Sequence, residues 1–367
     1  MELNPGLLER VRDRAAGYDR DNAFFAEDLD ELRAAGYLAP RPLLETVRDQ
    51  RLLAAHAPAT ALGINMHLVW TGVARVLHER GDTSLGWVLE DAARGELFAF
   101  GNSEPGNDLV LWDSLTTATP TGDGGYAFTG TKIFTSLAPA WTRLGVFGKD
   151  STGDEPRLVH GFLTRDAGGW HALDDWDTLG MRATQSRTTV LEGAVVDGDR
   201  VSRFLPVGPN ADPFVFAIFA NFLLTIGAVY AGIADRALEL GVEAVERRRS
   251  LRTGETLARD PDIRWRAADA ALALDALGPD IETLAADVDG LVDHGGAWFR
   301  RLTGAKHRST ETARYVVDQA MRLAGGAGYS ATAELSRLQR DVLAGVYHPS
   351  DTESVHSTVA RSLFPDS

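Results

Sequence analysis

Residues 345–355 read GVYHPSDTESV, a short break between helical patterns. His348 carries an imidazole whose ordinary pKa of about 6.5 suits proton transfer at neutral pH. Two carboxylates, Asp351 and Glu353, follow closely. Each of the three groups could act as a general base. The acids also have structural uses. Asp351, with Ser350 beside it, suits the N-cap of a helix predicted over 352–363. Glu353 falls in that helix's first turn, where negative charge complements the dipole.

Other segments with chemical potential are SEPGND at 103–108, GTKIFTS at 130–136, RRRSLR at 247–252 and GGAGY at 325–329. Taken singly, each has an ordinary reading. GGAGY lacks the strand-turn-helix setting of a dinucleotide fingerprint and reads as a helix stop. RRRSLR reads as a solvated helix end, where cations complement the dipole. The chain has no GxxxxGK[ST], HExxH or GxSxG, so phosphate-loop, zincin and α/β-hydrolase chemistry lose their usual supports. Cysteine is absent, which removes disulfides, thiolate metal sites and a cysteine nucleophile. Of nine histidines only His348 and His356 lie fewer than ten residues apart, a spacing that fits no common metal site. No metal is expected.

The elements that must position these residues follow an α, β, α order over 367 residues. Asn4-Pro5 reads as an N-cap followed by proline at the first helical position, with Leu7, Leu8, Val11 and Ala15 on one face. Further helical patterns cover 43–56, 61–79 and 83–94. From residue 96 the texture turns to short β-rich runs, with TGDGG at 121–125 as a hairpin signal. Long helical patterns return over 214–250, 261–294, 296–324, 331–344 and 352–363. The expected parts are 1–95, 96–210 and 211–367.

Composition is that of a globular protein, 44% hydrophobic and 24% charged, with a formal charge of −15. That field disfavours nucleic acid and anionic membrane surfaces. The N-terminus is charged at once and lacks an apolar signal core, so a cytoplasmic location is expected. Residues 213–234 carry no charge. Their length could span a bilayer, but Asn221, Thr225 and Tyr230 within them point to a helix buried by other helices.

Taken together and in order, SEPGND, GTKIFTS, LGMRATQSRTTVLEGAVV at 179–196, EAVERRRS at 243–250 and AMRLAGGAGY at 320–329 resemble the acyl-CoA dehydrogenase family. The resemblance runs along essentially the whole chain. In that family TEPG, GxKxWIT, GxRxS and QxxGGxGY occur in the same order. The fold this implies is α+β: an N-terminal helical domain, a middle β-barrel-like domain and a C-terminal four-helix bundle.

The resemblance also implies a flavin site. Phe100, Asn102 and Ser103, then Phe134, Thr135 and Ser136, would wall the isoalloxazine ring and hydrogen-bond its nitrogens. Arg248, or Arg247 in a shifted register, would reach the diphosphate with Gly325 and Gly326. Arg322 stands where the family has Gln. The loop after SEPG is two residues shorter than the family's TEPGAGSD, so Asn107 would have to substitute there. The implied cofactor is FAD, with FMN or a reduced flavin as alternatives. A homodimer or homotetramer is implied, because family flavin sites are built across subunits.

The sharpest departure is at the base. Family dehydrogenases remove a Cα proton with a Glu in a YEGT-like sequence, and here the match is Tyr347-His348-Pro349-Ser350. A minority carry that Glu on the first long C-terminal helix, where this chain has Asn221 and Phe222. Both addresses lack an acid. The first functional reading is α,β-dehydrogenation of an acyl thioester, on coenzyme A or a carrier protein, with His348 or a re-aimed Asp351 as base and an electron-transfer flavoprotein as partner. The second is a two-component monooxygenase that takes reduced flavin from a flavin reductase and uses O2 on a small molecule. The third is a catalytically silent subunit of an active homologue.

Overall fold

The computed structural model describes residues 3–109 and 111–364. Five helices come first: α1 (Pro5–Asp21), α2 (Ala26–Ala34), α3 (Leu43–Ala54), α4 (Pro58–Glu79) and α5 (Gly86–Ala93). Asn4 caps α1 by accepting from the Gly6 N–H at 2.8 Å, and Leu7, Leu8, Val11 and Ala15 are its buried face. Proline at the first position sacrifices no hydrogen bond, because that N–H has no partner in the helix.

Eight strands follow: β1 (Phe98–Gly101), β2 (Thr117–Pro120), β3 (Tyr126–Thr135), β4 (Arg143–Asp150), β5 (Arg157–Thr164), β6 (Trp170–Ala172), β7 (Arg187–Val196) and β8 (Val201–Pro206). They form one sheet in the order β6-β7-β3-β2-β4-β5-β8, with β1 parallel to β4. The TGDGG segment closes the antiparallel β2–β3 hairpin, Thr121 N–H donating to Gly125 O at 3.0 Å. Trp70 of α4 anchors β1 to the helices. Its indole N–H donates to Ala99 O at 2.9 Å, and its ring meets Phe162 edge-on at 4.7 Å.

Six helices complete the chain: α6 (Pro213–Arg247), α7 (Pro261–Asp275), α8 (Leu277–Asp289), α9 (Ala297–Ala324), α10 (Glu334–Val342) and α11 (Thr352–Leu363). The single helix expected over 261–294 is corrected to two, ending at Asp289. Pro279 has no N–H to return to the Asp275 carbonyl, so the run breaks at Ala276 and the proline falls in the first turn of α8.

α6 packs against α9, α4 and α3. It is long and apolar enough to cross a membrane, yet 83% of its most apolar 18-residue stretch is buried inside the protein. Its polar side chains turn inward to the helix: Asn221 Nδ2 donates to Ala217 O at 2.8 Å and Thr225 Oγ1 to Asn221 O at 2.6 Å. First and last parts of the chain form one helical body. Arg51 pairs with Asp235 at 2.6 Å, and Asp289 accepts from the Leu43 and Leu44 N–H groups at 2.9 Å each.

Candidate active site

The ends of β1 and β3 meet where SEPGND and GTKIFTS predict chemistry. Ile133 N–H donates to Ser103 O at 2.9 Å, tying the two segments together. Asn102 is fully buried, and neither atom of its amide has a partner. Thr135 is equally buried, and its Oγ1 also lacks one. Orphaned buried groups of this kind cost roughly 1–3 kcal/mol each, so their persistence points to a ligand that satisfies them. Phe134 lies between them in sequence with φ of +57°, in the left-handed region, and is 52% exposed with its ring edge-on to Trp176. Such backbone persists only where the surroundings over-determine it. Here the hydroxyls of Ser136 and Ser186 lie 2.7 Å apart, Ser186 and Thr184 likewise, and Leu137 N–H reaches Thr184 O. Phe100 stacks on Phe222 of α6 at 5.5 Å. Together these residues offer hydrogen bonds and an aromatic wall to a flat ring with a polar edge.

Glu104 and Lys132, the acid and the lysine of the same two motifs, form a buried ion pair at 2.6 Å. Glu104 also accepts from Ser114 Oγ, the Leu115 N–H, Thr116 Oγ1 and Asn107 Nδ2. Burial would raise the carboxyl, but the Lys132 charge and these hydrogen bonds outweigh it and bring its pKa down to about 2. Lys132 donates its remaining bond to Phe147 O at 2.7 Å. The pair staples the 103–116 loop onto the sheet. Its signal in the sequence is phase: Lys132 shares the inward parity of Tyr126 and Phe128 on β3.

His348 follows the turn after α10. Its Nδ1 is 3.1 Å from the hydroxyl of Tyr230, a fully buried residue of α6 two turns beyond Phe222. The tyrosine's pKa is raised well above 10.0 by burial and by Asp341, so it keeps its proton. His348 retains some surface exposure, but burial of its ring and the nearby Lys306 charge lower its pKa to about 3. The pair is therefore a protonated tyrosine hydrogen-bonded to a neutral imidazole through Nδ1, which leaves Nε2 outside that bond. Lys306 of α9 donates to the carbonyls of Gly345, His348 and Ser350 at 2.9, 2.7 and 2.9 Å. Neither Tyr230 nor Lys306 is evident from local sequence, because each lies far along the chain from His348.

The remaining candidates have other engagements. Asp351 accepts from the Ser354 N–H at 2.8 Å and caps α11, so its carboxylate is committed to the helix. Asn107 donates to Glu104 and to Asp113 O and accepts from the Leu109 N–H, which consumes its amide within its own loop. Arg322 pairs with Asp318 one turn back at 2.7 Å. Arg248 donates to Leu323 O and Ala324 O at 3.0 Å each, capping the end of α9. It lies against Gly325, whose φ of +64° strains any residue with a Cβ. Gly326 has open space on its side. The expected neighbours Arg248 and Gly325 are thus brought together, while Arg322 stands apart with its own acid.

Residues 224–350 match the family described as acyl-CoA dehydrogenase, C-terminal domain. Over 361 residues the chain is 33% identical to the amino sugar nitrososynthase DnmZ of Streptomyces peucetius, covering 89% of this chain and 86% of that protein. The solved structure of KijD3 in complex with FMN and dTDP-3-amino-2,3,6-trideoxy-4-keto-3-methyl-D-glucose is similar at a TM-score of 0.86 and 26% identity, covering 99% of this chain and 92% of that one. Butyryl-CoA dehydrogenase from Megasphaera elsdenii shares the fold at a TM-score of 0.84 and 19% identity, covering 99% of this chain and 100% of that one.

Proposed function

The chain belongs to the acyl-CoA dehydrogenase family and is a flavin-dependent oxidoreductase, and from that premise we propose that it is an oxygenating member, a two-component monooxygenase acting on a nitrogen centre of a small molecule such as an amino sugar. The observation that carries the reading is the state of His348. A Cα proton is weakly acidic and needs a base of raised affinity, whereas this imidazole has a pKa lowered to about 3 by burial and is hydrogen-bonded to the Tyr230 hydroxyl. Of the two carboxylates that follow it, Asp351 caps α11 and Glu353 lies in the first turn of that helix. Oxygen transfer has no need of that base and can use a neutral N–H donor.

The residues fit a flavin. Asn102 and Thr135 would hydrogen-bond the polar edge of the ring, and Phe134 would cover it, with Phe100, Ser103 and Ser136 supporting them from behind. Arg248 and the open backbone of Gly325 and Gly326 would face its phosphate. The neighbour structure with FMN bound, 26% identical over nearly the whole chain, favours FMN. Reduced flavin, when bound, supplies the electron pair that lets O2 deliver one atom to substrate and release the other as water. His348, held through Nδ1 by Tyr230, would present its Nε2 to the reacting oxygen.

The division into 1–95, 96–210 and 211–367 belongs to the same reading, with strands confined between the two helical parts. A homo-oligomer, dimer or tetramer, is part of it too. Trp265 and Leu272, 77% and 72% exposed, lie two turns apart on α7, an apolar surface suited to a second copy. The redox partner would be a flavin reductase.

The test is turnover under 18O2 with reductase-generated reduced FMN and a panel of amino sugar nucleotides and acyl-CoA thioesters, read by mass spectrometry. One labelled oxygen per new N–O bond is expected. Anaerobic bleaching of bound oxidised flavin by an acyl-CoA would establish dehydrogenation instead, and failure to bind any flavin would leave the silent subunit.

A further inference from the structure

Lys306 is 2% exposed, and the carboxylates that act on it, Asp351 and Glu311, do so only at long range, without an ion pair among the described residues. An ammonium has three N–H donors in total, and all three are directed at carbonyls of one short segment: Gly345, His348 and Ser350. These carbonyls bracket His348 on both sides. The segment is wedged at its start as well, because a Cβ on Gly345 would lie 2.6 Å from Thr310 Cγ2 and 2.8 Å from the Tyr230 ring. A buried lysine without a counter-charge is costly unless every donor is used. The geometry points to Lys306 as a positioning residue: by gathering the carbonyls of 345, 348 and 350 onto one cation, it fixes the backbone that carries His348 and sets the imidazole at hydrogen-bond distance from Tyr230.

The proposal deepens the oxygenase reading and rests on it for the consequence in turnover, though not for the structural clamp itself. Lys306 does not touch the reacting atoms. It acts through His348, and its charge next to the ring also opposes protonation of the imidazole. Methionine at this position keeps the length of the side chain and removes all three donors, leaving three carbonyls without their partner. Glutamine keeps two donors on a shorter stem.

The experiment compares wild type, K306M, K306Q, H348A and the K306M/H348A double variant by two readouts. Hydrogen exchange of the protein at rest should show the peptide covering 343–351 exchanging at least tenfold faster in K306M, with K306Q between the two and the rest of α9 unchanged. In turnover with reduced FMN, kcat should fall about tenfold to a hundredfold in K306M, the range typical of removing a group that orients a functional side chain. The KM for substrate should stay within about threefold, and K306M should cost nothing further in the H348A background. Unchanged exchange over 343–351, or a rate loss that multiplies fully with that of H348A, would overturn the proposal. If K306M does not fold, K306Q decides by the same two criteria. If wild type transfers no oxygen to any substrate, the functional reading falls alone, and exchange still judges the clamp.

Discussion

Two buried lysines meet opposite surroundings in this protein. Lys132 faces Glu104, and the pair closes its charges on each other inside the sheet. Lys306 faces three neutral carbonyls and keeps its charge. Burial lowers both ammonium groups to about 8, Lys132 against the pull of Glu104 and Lys306 against the weaker pull of Asp351. Lys132, though paired, still adds to the lowering of the buried His160 on β5. Lys306, which has no direct ion pair, acts in the same direction on His348 and also holds the His348 carbonyl. The same residue type therefore staples a loop through an ion pair in one place and gathers the carbonyls of a backbone segment in the other.

The largest effect expected from breaking this contrast is on stability at the staple. Glu104→Ala leaves a buried ammonium without its counter-charge, and breaking such pairs costs about 3–5 kcal/mol. Urea unfolding should register that loss, and replacing both partners together with Leu and Met should recover only the part due to the stranded charge, because the donors of Ser114, Leu115 and Thr116 stay unpaired. A single-variant cost under about 1 kcal/mol would mean the pair is not the staple described. Lys306→Met should cost less, about 1–3 kcal/mol, because it orphans carbonyls without stranding a charge. Equal costs at the two sites would erase the distinction between them.

Acid provides a broader probe. Burial lowers His67 to about 4, His160 to about 3 and His348 to about 3, each from 6.5. The unfolded chain therefore binds protons that the folded chain refuses, so stability is fully present above pH 6.5 and declines as pH falls from there toward 3. Unfolding free energies measured across that window should decline progressively, and the slope should be shallower in a His160→Phe variant. A flat profile would contradict neutral buried histidines. The smallest effect is at Asp351: Asp351→Ala should lose about 1 kcal/mol through the missing cap, with turnover within threefold of wild type. A hundredfold loss of turnover there would return Asp351 to the list of bases.

Much of the frame was legible in the chain itself. The Asn4 and Asp351 caps, the TGDGG hairpin and the buried character of 213–234 depend on neighbours within a few residues, where local chemistry decides. The break at Ala276 was missed because the amphipathic period continues across it, and only Pro279 marks the interruption. Within the site, His348 stood out by its place in a motif. Its partners did not, since Tyr230 and Lys306 reach it only through the packing of α6 and α9. A signal for Lys306 existed: it falls in phase with Leu302, Ser309 and Ala313 on the buried face of α9, where a lone lysine needs a partner. Asn107 and Arg322 show the converse, side chains of suitable type that the fold engages elsewhere.

The central claim is that the flavin site serves reduced flavin and oxygen rather than a resident oxidised cofactor. Anaerobic titration of the purified protein with oxidised and with photoreduced FMN, followed by fluorescence and calorimetry, tests it most directly and requires no knowledge of the substrate. The account predicts a protein that purifies without stoichiometric flavin and binds reduced FMN at least tenfold more tightly than oxidised FMN. Stoichiometric oxidised FAD carried through purification, bleached on anaerobic addition of an acyl-CoA, would contradict it.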